Sequence, residues 1–69
     1  MEIRWKDGFV MDVRLVNGSV LLSANREGLL SLVGQLTALA EEEPGSHIHY
    51  DEHNSLEAGS ADLIIERLP

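Results

Sequence analysis

Apolar and polar residues alternate from Met11 to Leu15, with Met11, Val13 and Leu15 on one side and Asp12, Arg14 and then Val16 on the other. After Asn17-Gly18 the segment Ser19-Val20-Leu21-Leu22-Ser23 resumes the pattern. A period of two marks a strand with one face turned to a core. Asn-Gly suits a two-residue type I′ turn, because both positions reach positive φ at low cost. The pattern predicts a hairpin over residues 9–16 and 19–24. Asp7-Gly8 is a second turn signal, and Glu2–Lys6 before it reads as a further N-terminal strand of the same sheet.

The period then changes. Leu29, Leu32, Val33, Leu36, Leu39 and Ala40 recur at spacings of three and four, the apolar face of an amphipathic helix. Asn25 stands where an N-cap belongs, and Glu27 lies in the first turn, where the helix dipole favours an anion. Gly28 and Gly34 each cost about 1 kcal/mol of helix propensity relative to alanine. Close helix–sheet packing would account for one of them. Pro44-Gly45 ends the helix.

Two strands follow. Ser46–Asp51 sets Ile48 and Tyr50 on one face and His47, His49 and Asp51 on the other. Ala61–Leu68 centres on Leu63, Ile64 and Ile65, and the polar loop Glu52–Ser60 separates the two. The expected architecture is α+β in the order β-β-α-β-β, with the extra N-terminal strand. One helix packs on one face of a small, mainly antiparallel sheet, leaving the other face to solvent or a partner.

With 69 residues the chain makes one domain, residues 1–69. A chain of this size leaves no volume for a deep substrate cavity of roughly 300 Å³ or more. Cysteine is absent, which removes disulfides and thiolate ligands and favours a reducing, cytoplasmic setting. The charged start, Met1-Glu2-Ile3-Arg4-Trp5-Lys6-Asp7, is unlike a signal peptide. The net charge is −7. Residues 1–34 hold four acids and four bases, whereas residues 35–69 hold eight acids and only Arg67, so the whole excess lies in the second half. That sign argues against nucleic acid and anionic membranes, and for a basic partner.

Among the chemistry-bearing residues, His47, His49 and Asp51 share a strand face with His53 close by, a donor set that zinc or iron accepts. The plainer reading of that face is contact with water or a partner. The serines have no elbow or base spacing, no phosphate-binding glycine loop is present, and the acids imply no cleft. The expectation is a non-enzymatic domain without a cofactor. Glu41-Glu42-Glu43 oppose the helix dipole and form an acidic surface that Asp51, Glu52 and Glu57 extend if the loop 52–60 folds beside the helix end. Core packing is the default for Trp5, Phe9 and Tyr50, and Trp5 is the best aromatic candidate for an interface anchor.

Three stretches carry a family resemblance: Asn25-Arg26-Glu27-Gly28-Leu29-Leu30-Ser31-Leu32, Gly45-Ser46-His47-Ile48-His49-Tyr50-Asp51-Glu52, and Leu56-Glu57-Ala58-Gly59-Ser60-Ala61-Asp62-Leu63-Ile64-Ile65-Glu66. Their order resembles the Immunity protein 32 family over about residues 19–67. The resemblance implies a small α+β protein that neutralises a toxin of a bacterial polymorphic toxin system, with no catalytic residues to carry over. The implied mechanism is occlusion of a toxin; the expected contact residues, read from the charge of the second half, are His47, His49, Asp51, Glu52 and Glu57, with Glu41, Glu42 and Glu43 as steering charge. Two alternatives stand beside it: a metal site at His47, His49 and Asp51, and an interaction module that forms a homodimer through its uncovered sheet face.

Overall fold

The computed structural model describes residues 1–69, with β1 (Met11–Val16), β2 (Ser19–Ala24), α1 (Arg26–Ala40), β3 (His47–Tyr50) and β4 (Leu63–Glu66). Asn17 at φ 50° and Gly18 at φ 82° make the turn between β1 and β2. The register pairs Met11 with Ala24 and Val13 with Leu22 at the core, and Leu15 with Val20 beyond it, where both side chains are exposed. Asn25 caps α1, its Oδ1 accepting from Gly28 N at 2.9 Å. The same oxygen takes Val10 N at 2.9 Å, and Asn25 Nδ2 donates to Gly8 O at 2.8 Å. One side chain thus starts the helix and pins the segment that leads into β1.

The four strands do not pair as the single sheet expected from the sequence. β1 pairs with β2 and β3 with β4, both antiparallel, in two separate two-stranded sheets. Residues 57–61 run between them along the second edge of β1. Glu57 N donates to Met11 O at 2.9 Å and Ala61 N to Val13 O at 2.8 Å. Ser60 Oγ accepts from Val13 N at 3.3 Å. Four residues of this segment advance against two of β1, which bulges it out of regular pairing.

Glu2–Lys6 is not a strand either. Its backbone is held by two side chains one turn apart on α1. Lys6 N donates to Ser31 Oγ at 2.9 Å, and Gln35 Nε2 donates to Arg4 O at 2.8 Å. The segment therefore lies as a strap along one flank of the helix. Its backbone groups find partners without a ladder. β1 and β4 are also shorter at their ends than the alternation suggested.

The core comprises Met11, Val13, Leu32, Leu39, Ile48, Tyr50 and Leu56, with Leu22, Ala24, Leu63 and Ile65 packed around it. Trp5 belongs to this packing instead of standing out as an anchor. It stacks on Phe9 with ring centroids 4.2 Å apart and meets Tyr50 edge-on at 6.0 Å. Gly28 is the glycine that close packing explains: a Cβ there would lie 2.7 Å from Val10 O, whereas one on Gly34 would touch nothing within 4 Å. The molecule measures 31 × 30 × 19 Å, a slab one helix and one sheet layer thick.

Candidate partner-binding surface

Alternation in β3 sends Ile48 and Tyr50 into the core and turns His47 and His49 outward. In the register with β4, His47 stands opposite Glu66 and His49 opposite Ile64. Asp62, just before β4, shares the face, since its Oδ2 lies 3.2 Å from His49 Nε2. Ile64 is 61% exposed at the centre. The uncovered face of this sheet is thus an apolar residue framed by two histidines and by Asp62 and Glu66, with Asp51 at its end. Asp62, Ile64 and Glu66 were not among the contact residues expected from the sequence. Their spacing of two within Ala61–Leu68 already places them together on one face.

The loop after β3 is built by its own polar groups. Asp51 Oδ1 accepts from His53 N at 2.8 Å and from Asn54 N at 3.0 Å. Asn54 answers by accepting from Asp51 N at 3.1 Å and donating to His49 O at 3.0 Å. Glu52 Oε2 accepts from Gly59 N at 2.9 Å, which closes the loop across seven positions. Asp51 and Glu52 therefore carry structural duties as well as charge. Glu57 has no side-chain partner and is exposed, while its backbone anchors the loop on β1.

Glu41, Glu42 and Glu43 sit at the other end. Ser46 N donates to Glu43 O at 3.1 Å, which fixes the glutamates at the start of β3. Asp51 lies at its far end, roughly 16 Å away at 3.3 Å per residue. The loop 52–60 docks on β1 and not beside the helix end, so the structure divides the expected acidic surface into two clusters. Glu42 also lies 3.5 Å from the terminal amine of Met1.

The donor set of the metal alternative does not converge. His47 Nδ1 turns toward Gly45 O at 3.5 Å, and Asp51 Oδ1 is occupied by two backbone N–H groups. His49 Nε2 lies 3.9 Å from Asp51 Oδ2. No three His, Asp or Glu side chains are placed to hold a metal ion. Among groups with shifted ionisation, burial raises the Tyr50 phenol above its ordinary value. Arg4 lowers the Glu2 carboxyl through their hydrogen bond and charge, on the exposed strap.

Fold and surface together define a small, acidic α+β protein that presents a charged sheet face, with no helix long and apolar enough to cross a membrane. The family model for Immunity protein 32 matches residues 19–68, and the chain belongs to that family. No curated protein and no solved structure matches it. The matched span begins at β2 and includes the helix cap, both strands of the second sheet and the loop between them.

Proposed function

We propose that this chain is an immunity protein that binds a cognate bacterial toxin and occludes its working surface without catalysis. Membership of the Immunity protein 32 family carries the reading. The charge supports it: residues 35–69 bring eight acids against one base, and such a surface steers a basic partner. The contact surface is the outer face of β3 and β4 together with the loop that connects them. His47, His49, Asp51, Glu52 and Glu57 are its residues, now joined by Asp62, Ile64 and Glu66. Ile64 supplies the apolar centre and the acids the rim, the usual division of an interface. Glu41, Glu42 and Glu43, at the opposite end of β3, act at longer range by raising the encounter rate.

The test is capture of partners from a lysate of the source organism on the tagged chain, at low and high salt. A captured basic protein is then purified and its toxic activity measured with and without the chain. Stoichiometric loss of that activity is expected, with association slowed by salt. A captured protein whose activity the chain leaves intact would overturn the assignment.

A further inference from the structure

We infer that a second copy of this chain docks on the open edge of β2 and the flank of α1 beside it, making a two-fold dimer. This surface is separate from the outer face of β3 and β4, and the inference is independent of the toxin reading.

The edge follows from the hydrogen bonds. Met11 and Val13 use their backbone groups toward residues 57–61. Asp12, Arg14 and Val16 therefore face β2, where the register sets them against Ser23, Leu21 and Ser19. The backbone N–H and C=O of Val20 and Leu22 then point outward, and no turn, loop or side-chain hydrogen bond reaches them. Edge strands are normally guarded by a lysine, a proline, a bulge or a covering segment. Ser19-Val20-Leu21-Leu22-Ser23-Ala24 has no charge and no proline, and it pairs with β1 residue for residue without a bulge.

The helix offers the matching half. Its buried line runs through Gly28, Leu32, Gln35 and Leu39. Leu29, Val33 and Leu36, spaced four and three apart, form a second apolar line about 100° around the axis. They are 51%, 61% and 42% exposed. The strap held by Ser31 and Gln35 covers the opposite flank, on the side where Trp5 meets Tyr50 of β3. The open line consequently overlooks β2, whose Ala24 abuts Gly28. Open edge and open apolar line thus lie side by side.

Three observations select a second copy as the occupant. The exposed surface is 4731 Å² for 7.6 kDa. A folded monomer of that mass exposes about 4,300 Å², so this one shows roughly a tenth more. Apart from Leu36, the residues paired through β2 and the helix line also belong to the neutral half of each chain, residues 1–34, and none of them is acidic. Finally, an antiparallel strand meeting its own copy across a two-fold axis is self-complementary, as a closed dimer requires. Val20 and Leu22 then bond to their counterparts, and Leu29, Val33 and Leu36 pack on theirs.

Sedimentation equilibrium from about 1 to about 200 μM covers the range in which a micromolar dimer dissociates. The wild-type chain is expected to approach twice 7.6 kDa as concentration rises. V20K and V33E change exposed side chains and should each weaken the dimer by roughly tenfold or more, with the helical circular dichroism retained. I64K, on the other face, should leave it intact. Hydrogen exchange of the Val20 and Leu22 amides is expected to slow as concentration rises. A wild-type chain that stays at 7.6 kDa throughout overturns the proposal. A dimer indifferent to V20K and V33E overturns it as well, as does protection of those amides that appears only with a different protein.

Discussion

Tyr50 Oη donates a 2.8 Å hydrogen bond to Gln35 Oε1 in the buried interior, joining β3 to the middle of α1. Gln35 passes the connection on, since its Nε2 holds Arg4 O of the strap. A single glutamine thus ties a strand, a helix and the N-terminal segment together. Y50F leaves the Gln35 oxygen buried without its donor, which costs about 1–3 kcal/mol. Urea unfolding should show that loss. Q35A should lose more than Y50F, because it also frees the strap. The double variant should fall short of the sum of the two, and strict additivity would show that the bond contributes nothing.

The same phenol makes stability depend on alkaline pH. Burial raises its folded-state ionisation above the unfolded value. The protonated form is favoured in the fold, so its contribution is complete below the unfolded value of about 10 and is lost as pH rises through the folded one. Urea midpoints measured upward from pH 8 should hold, then decline beyond about 10. Y50F should show a shallower decline over that window, and an unchanged curve would remove Tyr50 as its origin.

Gly28 and Gly34 occupy the same helix yet predict opposite outcomes. G34A meets open space and should stabilise the fold by about 0.5–1 kcal/mol through helix propensity. G28A gains the same propensity but sets its Cβ 2.7 Å from the Val10 carbonyl oxygen, a backbone atom. Overpacking of this kind costs about 1–3 kcal/mol, so G28A should be net destabilising. Thermal unfolding of the two variants side by side reads the difference in sign.

Asn25 should be among the most sensitive polar residues outside the core. Replacing a cap by alanine costs about 1 kcal/mol, and N25A also strips Val10 N and Gly8 O of their partners. A loss of about 2 kcal/mol in urea unfolding is expected, with faster amide exchange at Val10. A loss no larger than that of an ordinary cap would mean that the segment before β1 holds without it.

Under the proposed function, charge on the outer sheet face and the loop beside it should govern encounter with the partner more than fold stability. Glu57 and Glu66 are exposed and lack side-chain partners, whereas Glu52 closes its loop on Gly59. E57K/E66K is therefore the cleaner reversal. Stopped-flow association with the captured partner should slow by roughly tenfold at low salt, with a flatter salt dependence. Unchanged kinetics would place the contact elsewhere.

What could be read from the sequence was local. Asn17-Gly18 marked the hairpin turn and Asn25 the cap, each through the conformational preference of one or two residues, whereas the helix ends at Ala40 with Glu41 as its C-cap, four residues ahead of the Pro44-Gly45 breaker. The N-terminal segment reads as a strand because Asp7-Gly8 marks a turn that would return it to the sheet, yet it is not one. Its partners, Ser31 and Gln35, lie 25 and 31 positions away. A trace of them was present: both are polar positions, one turn apart, within the apolar face of the helix. The break between the sheets depends on how residues 57–61 fall against β1, a register that no local pattern encodes. On the site, the histidine face of β3 was legible by alternation, while its neighbours on β4 needed the pairing of Ile64 with His49. Two acidic clusters were read as one because the loop's docking place was unknown.

The bonds from Glu57 and Ala61 to Met11 and Val13 have a consequence for synthesis. A ribosome makes the first hairpin long before the segment that completes it. While the remainder is translated, β1 emerges with its second edge bare and β2 with its outer edge bare. The nascent chain therefore exposes two adhesive borders at once, and one of them is sealed only when residues 57–61 arrive. Slow translation or truncation ahead of Glu57 would release a hairpin ready to pair with whatever strand it meets.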